Sequence, residues 1–102
     1  MFPSTQTRWG RAQTEHTIAE GIIHYTTASH GGFGLSPARY AAMPAHLRAC
    51  SWTGDRWFEE DCAWCAVVLA WPEYFDASTK AAAERTYQQC YATAGASHAN
   101  PQ

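Results

Sequence analysis

The chain has 102 residues, 46% hydrophobic and 14% aromatic with only 16% charged, which is enough apolar material for one core without a metal or disulfide staple and excludes disorder over most of its length. A net charge of -2 supplies neither the basic stripe that phosphate neutralisation needs nor the dense acidity of a nucleic-acid mimic, so no direct nucleic-acid partner is expected. The longest apolar run, Cys62 to Trp71, is about half of the ~20 residues a membrane helix needs, and no secretory leader opens the chain; the expected setting is the cytoplasm, with no membrane contact and the four cysteines reduced.

In chain order, residues 8–17 and 22–28 read as the arms of a β-hairpin, because β-branched and aromatic residues mix with polar ones on either side of a Glu20-Gly21 turn. In the second arm Ile23, Tyr25 and Thr27 face one way, and Ile22, His24 and Thr26 the other. "SHGGFGL" then reads as a strand-breaking turn, since Gly31, Gly32 and Gly34 open backbone conformations that no neighbour could adopt cheaply. Ser36 as N-cap and Pro37 at the first helical position start a short helix, and Pro44 opens a second helical turn. "SWTGDRWF" centres on a Thr53-Gly54-Asp55 turn flanked by tryptophans, from which a third strand can form. "EEDCAWCAVVLAW" predicts a central buried helix ended by Pro72, with three carboxylates at its positive dipole end. The last helix is capped by Asp76 or Ser78, carries an inward stripe of Ala83, Tyr87, Cys90, Tyr91 and Ala94, and stops at Gly95. The expected fold class is α+β, a small antiparallel β-hairpin or sheet packed on two main helices plus one or two short helices. It forms a single globular domain over residues 1–95, followed by a flexible tail over 96–102.

Candidate chemistry is sparse. Cys62 and Cys65 have the spacing of half a zinc site, but they lie inside an apolar helical pattern where i and i+3 share a face, so they read as buried packing thiols; no metal and no cofactor is expected. His24 and His30 could meet Glu59, Glu60 and Asp61 as a metal-dependent hydrolytic site or a general acid/base pair, whereas the structural reading gives the carboxylates to the helix dipole and the loop amides. "HGGFG" lacks both the Lys-Ser/Thr of a phosphate loop and the spacing of a dinucleotide fingerprint. Gly31, Gly32, Pro37, Glu59, Glu60 and Asp61 are therefore assigned structural roles. Trp57, Trp64 and Trp71 recur every seven residues and are expected to pack inward for the most part, yet five tryptophans are many for this length to hide. Trp52, Arg56 and Trp57 near the Gly54 turn, together with His30 and Arg39, are the expected partner-binding residues, because exposed Trp and Arg concentrate binding energy. An apolar strip left by the tryptophans could also seal a homodimer.

"RWGRAQ", Gly21-Ile22, "ASHGGFGLSPAR", Met43-Pro44 and "WFEEDCAW" together resemble a small uncharacterised domain family found in proteins of phages, plasmids and their bacterial hosts. The resemblance runs from Thr7 to Phe75, with Trp9-Gly10, His30-Gly31-Gly32, Leu35-Ser36-Pro37 and Glu59-Glu60-Asp61 in the family's motif positions. It implies a mobile-element setting and no established activity. A stand-alone chain of this size looks like the anti-defence proteins of phages, anti-CRISPR proteins among them, which occupy a surface on a host protein or ribonucleoprotein defence complex. Binding and inhibition of such a complex is the expected function. The alternatives are a small metal-dependent hydrolase or other enzyme built on His24, His30, Glu59, Glu60 and Asp61, and an accessory structural domain.

Overall fold

Thr7 closes the first turn of the chain: its hydroxyl accepts from the Trp9 amide (3.1 Å) and donates to the Gly10 carbonyl (2.7 Å), so that β1 (Gln6–Thr7) and β2 (Gly10–Arg11) pair as an antiparallel ribbon with Arg8 and Trp9 at its tip. The structure, a computed structural model, describes residues 5–51 and 54–92. The expected first hairpin arm at 8–17 is corrected by this ribbon. The long hairpin begins only at β3 (Thr14–Ala19), turns at Glu20-Gly21 and returns as β4 (Ile22–Thr26). Gly21 takes φ +82°, a conformation side chains rarely adopt, and a Cβ there would strike the Ser36 hydroxyl.

The glycine segment is not the turn expected of it. The chain reverses earlier, between Thr27 and His30, where the Thr27 amide and hydroxyl both donate to the His30 carbonyl (2.7 and 2.8 Å) and the hydroxyl accepts from the His30 amide (3.0 Å). Gly31 to Leu35 then form β5 (Gly31–Leu35), an inner strand buried along its whole length and paired to β4 on one side and to β6 (Trp57–Glu59) on the other. The four-stranded sheet is antiparallel in the order β3-β4-β5-β6, and the third strand that the sequence allowed after the Gly54 turn is β6. Glycine in a strand interior marks a close approach of other groups to the backbone. That use, not chain reversal, explains these three.

Ser36 caps α1 (Pro37–Ala42), its hydroxyl accepting from the Arg39 amide (3.1 Å) with Pro37 in the first turn, and Pro44 precedes α2 (Ala45–Arg48). The apolar run forms α3 (Trp64–Ala70), in which Cys65, Ala66, Val67 and Val68 are fully buried, and a 3-10 turn follows at Pro72–Tyr74. Asp76 rather than Ser78 caps α4 (Ala77–Tyr87), accepting from the Thr79 amide (2.7 Å), and the chain continues as a π-helical turn at Gln88–Ala92.

Strand alternation sorts the sheet into two faces. Ile22, Phe33, Leu35 and Phe58 point toward the helices and, with Met43, Leu47, Cys50, Ala63, Ala66 and Val67, make the main core. Each fully buried side chain of the Phe58 or Leu35 kind contributes about 1.5–3 kcal/mol relative to exposure. Trp64, Trp71, Phe75, Tyr87 and Tyr91 are partly buried against this core and Ala83 is fully buried beside Cys65 and Val68, so Trp64 and Trp71 pack inward, as do Ala83, Tyr87 and Tyr91 of the expected last-helix stripe. The molecule is an α+β domain.

The expectation of four reduced cysteines is corrected as well. Cys62, in the turn before α3, is bonded to Cys90 at the end of the last helix, their Cα atoms 6.2 Å apart, while Cys50 and Cys65 are buried free thiols. Helix packing brings together residues 28 positions apart, a proximity that local periodicity does not carry. Trp52, Ala94, Gly95 and the tail expected at 96–102 lie outside the described residues. No helix among the described residues is long and apolar enough to cross a membrane.

Candidate recognition face

The sheet face turned away from the helices is built around the alternate glycines of β5. By register Gly32 sits between Tyr25 and Glu59, and Gly34 between Ile23 and Trp57. A Cβ at Gly34 would come within 2.5 Å of the Trp57 ring and 2.8 Å of the Tyr25 ring; at Gly32, which takes φ +153°, it would strike the Phe58 carbonyl and come within 2.7 Å of the Trp9 ring. The missing side chains are thus a floor on which three aromatic rings lie. Trp57 meets Trp9 edge-on at 5.7 Å between centroids and Tyr25 at a tilt at 5.6 Å, both in the favourable range for ring pairs.

Arg56 completes this cluster. Its guanidinium carbon stands 4.4 Å from the Trp57 ring centroid, and one nitrogen donates to the Leu35 carbonyl (2.8 Å), which fixes the stacked geometry. Below it, Trp57 is held by its own backbone: the amide donates to Asp55 (3.2 Å) and the carbonyl accepts from Ser51 (3.0 Å). An Arg8–Asp55 ion pair ties the tip of the β1–β2 ribbon to the same loop. Burial holds the Tyr25 phenol above its ordinary pKa, so the ring enters the cluster uncharged.

A second arginine–aromatic group lies at the Glu20-Gly21 end of the sheet. Arg39 stands over Trp71 (5.1 Å) and Tyr74 (5.4 Å), donating from Nε to the Glu20 carbonyl (2.8 Å). Tyr74, 41% accessible, is the exposed large apolar side chain of the described residues.

At the other end of the glycine floor, Trp9, His30, Glu59 and Asp61 line a cleft of about 110 Å³. Glu59 is fully engaged there: Oε1 accepts from the Cys62 and Ala63 amides and Oε2 from the Asp61 amide, all at 2.8 Å, so it anchors the turn leading into α3. His24 and Glu60 do not line this cleft. His24 lies on the opposite face, edge-on to Phe33 at 5.1 Å, and burial lowers its pKa despite the opposing charge of Glu60. Glu60 lies against Gly31, where a Cβ would stand 3.0 Å from its carboxylate. The five candidate catalytic residues are therefore divided: Glu59 ends β6 and lines the Trp9 cleft, whereas Glu60, the first residue of the turn that follows, lies against Gly31.

Among the described residues no group of three or more His, Cys, Asp or Glu side chains could hold a metal ion. Burial pushes the Cys50 thiol up to about 11 and the Cys65 thiol up to about 12, so both are protonated and unreactive near neutrality. Of the expected partner residues, Arg56 and Trp57 share one cluster, His30 lines the adjoining cleft and Arg39 belongs to the separate Trp71–Tyr74 group. Trp9, Tyr25 and Gly34 were missing from that expectation. Glycines two apart in a strand, which leave one face bare, were the available signal.

Fold and site together define a small α+β domain whose sheet carries a glycine-floored aromatic and arginine face. Residues 3–100 match the family of the domain of unknown function DUF7007, and the chain belongs to that family. No curated protein and no solved structure matches it.

Proposed function

We propose that this protein is a non-enzymatic binding module of a phage or other mobile element that contacts and inhibits a bacterial defence complex, a CRISPR effector being the leading candidate, in the cytoplasm of the host. The observation that carries the binding reading is the half-buried Arg56–Trp57–Trp9 cluster, packed against the buried Tyr25 ring and pre-ordered on Gly32 and Gly34. Trp, Tyr and Arg dominate the energetics of protein interfaces, and rings already locked in place lose little entropy on binding. The choice of a defence complex rests on the resemblance of the motif series to a phage and plasmid domain family.

An enzymatic reading draws on the cleft shared by Trp9, His30, Glu59 and Asp61. It is the weaker of the two, since Glu59 already receives three amide hydrogen bonds and His24 faces elsewhere. The test is titration of a purified host CRISPR effector complex with this protein, followed by size-exclusion chromatography. Stoichiometric co-elution that Trp57→Ala and Arg56→Ala abolish supports the proposal; separate elution of the unaltered protein from effectors of its host overturns the CRISPR assignment.

A further inference from the structure

The four cysteines form two chemically different pairs. Cys50 and Cys65 are sealed in the core, whereas Cys62 and Cys90 are half-buried and line a cleft of about 350 Å³ together with Glu59, Asp61 and Tyr91. We propose that the Cys62–Cys90 bond is a reversible redox latch, open to external thiols through that cleft, that fastens the π-helical turn after α4 to the turn before α3, beside Glu59 and Asp61. This inference goes beyond the recognition reading and does not require it.

The chemistry follows from access. A small thiolate enters the cleft and attacks one sulfur, forming a mixed disulfide and releasing the other cysteine as a thiolate; a second thiolate then attacks the reductant sulfur of that mixed disulfide and expels the remaining cysteine as a thiolate. The net reaction oxidises two reductant thiols to a disulfide and leaves Cys62 and Cys90 as thiols. Internal attack by Cys50 or Cys65 is closed off, because both are buried and held protonated. The core pair therefore keeps its state while the latch changes.

What the latch holds is also asymmetric. On the Cys62 side, the turn keeps the three hydrogen bonds to Glu59 whether or not the sulfur bond is present. On the Cys90 side, the π-helical turn Gln88–Ala92 has the Tyr91 hydroxyl donating to the Cys50 carbonyl (3.1 Å) as its long-range polar tie. Opening the bond thus frees the end of the last helix much more than the turn before α3. The shared walls link the latch to the recognition face, since Glu59 and Asp61 border both the sulfur cleft and the Trp9 cleft.

The experiment uses the full chain, oxidised with glutathione disulfide and then exposed to reduced glutathione in native buffer. Mass spectrometry after alkylation should find Cys62 and Cys90 modified, with Cys50 and Cys65 modified only after denaturation. Amide exchange over 88–92 should accelerate at least tenfold on reduction while that over 61–63 changes less than about threefold, and Cys90→Ser should show the fast exchange with or without reductant. Four free thiols after oxidation, equal alkylation of all four in the native state, or unchanged exchange over 88–92 would each overturn the latch.

Discussion

Gly32→Ala is the substitution to which this fold should be least tolerant for its size. The added methyl would strike the Phe58 carbonyl and lie 2.8 Å from the Glu59 Cα, so β6 itself, not a mobile side chain, would have to move. Overpacking of this kind costs about 1–3 kcal/mol, and holding a side chain at φ +153° adds about 1–3 kcal/mol of backbone strain. The sum, about 2–6 kcal/mol, is a large share of the roughly 5–15 kcal/mol that stabilises a domain. By differential scanning fluorimetry the melting temperature should fall by about 10–50 °C, or the variant should fail to fold. Gly10→Ala is the control, because Gly10 has φ +122° but no atom within 4 Å of the added methyl; it should lose only the backbone-strain part, about 1–3 kcal/mol, without the overpacking. Equal melting of Gly32→Ala and the unaltered protein would refute the close approach of β6 to β5.

The remaining expectations concern caps, charge and the sulfur bond. Ser36→Ala removes the hydroxyl that accepts from the Arg39 amide and should cost about 1 kcal/mol in urea unfolding, with Ser36→Thr retaining most of it. Glu59→Gln replaces a carboxylate serving three amides and should lower stability by about 1–3 kcal/mol in the same assay. Burial holds the folded-state pKa of His24 below the ordinary 6.5, so the unfolded chain binds the proton more readily; its contribution is fully present above that value and is lost as the pH falls from there through the lower folded-state pKa. Melting between pH 7.5 and about pH 5 should accordingly drop less in His24→Gln than in the unaltered protein. Reduction of Cys62–Cys90, which closes a loop with a separation of 28 residues, should cost about 3.5 kcal/mol on the chain-entropy account, read as a shift in denaturant midpoint.

Features written in adjacent residues were legible in the sequence. Ser36-Pro37 set the start of α1, Glu20-Gly21 the long hairpin turn, and the apolar run after Asp61 the buried α3, because a cap, a turn or a helix face is decided within a few positions. Gly31, Gly32 and Gly34 were not, since glycine marks both chain reversal and close packing, and only the partners across the sheet tell these apart. Trp9 stands 48 residues before Trp57 and reaches it through the β1–β2 ribbon, so neither its place on the recognition face nor the Cys62–Cys90 link had a local signature. Glu59 was assigned a structural role from the helix dipole, and the structure adds the contacts: it accepts from three successive amides at the entrance to α3.

The most direct test of the recognition account is a phage-plating assay on a host whose CRISPR system targets that phage, with the protein supplied in trans as variants that fold to the same melting temperature. Arg56→Ala and Trp57→Ala should restore immunity, while His30→Ala and Asp61→Asn should leave the phage protected. Loss of protection with His30→Ala or Asp61→Asn, alongside full protection with Arg56→Ala and Trp57→Ala, would contradict it.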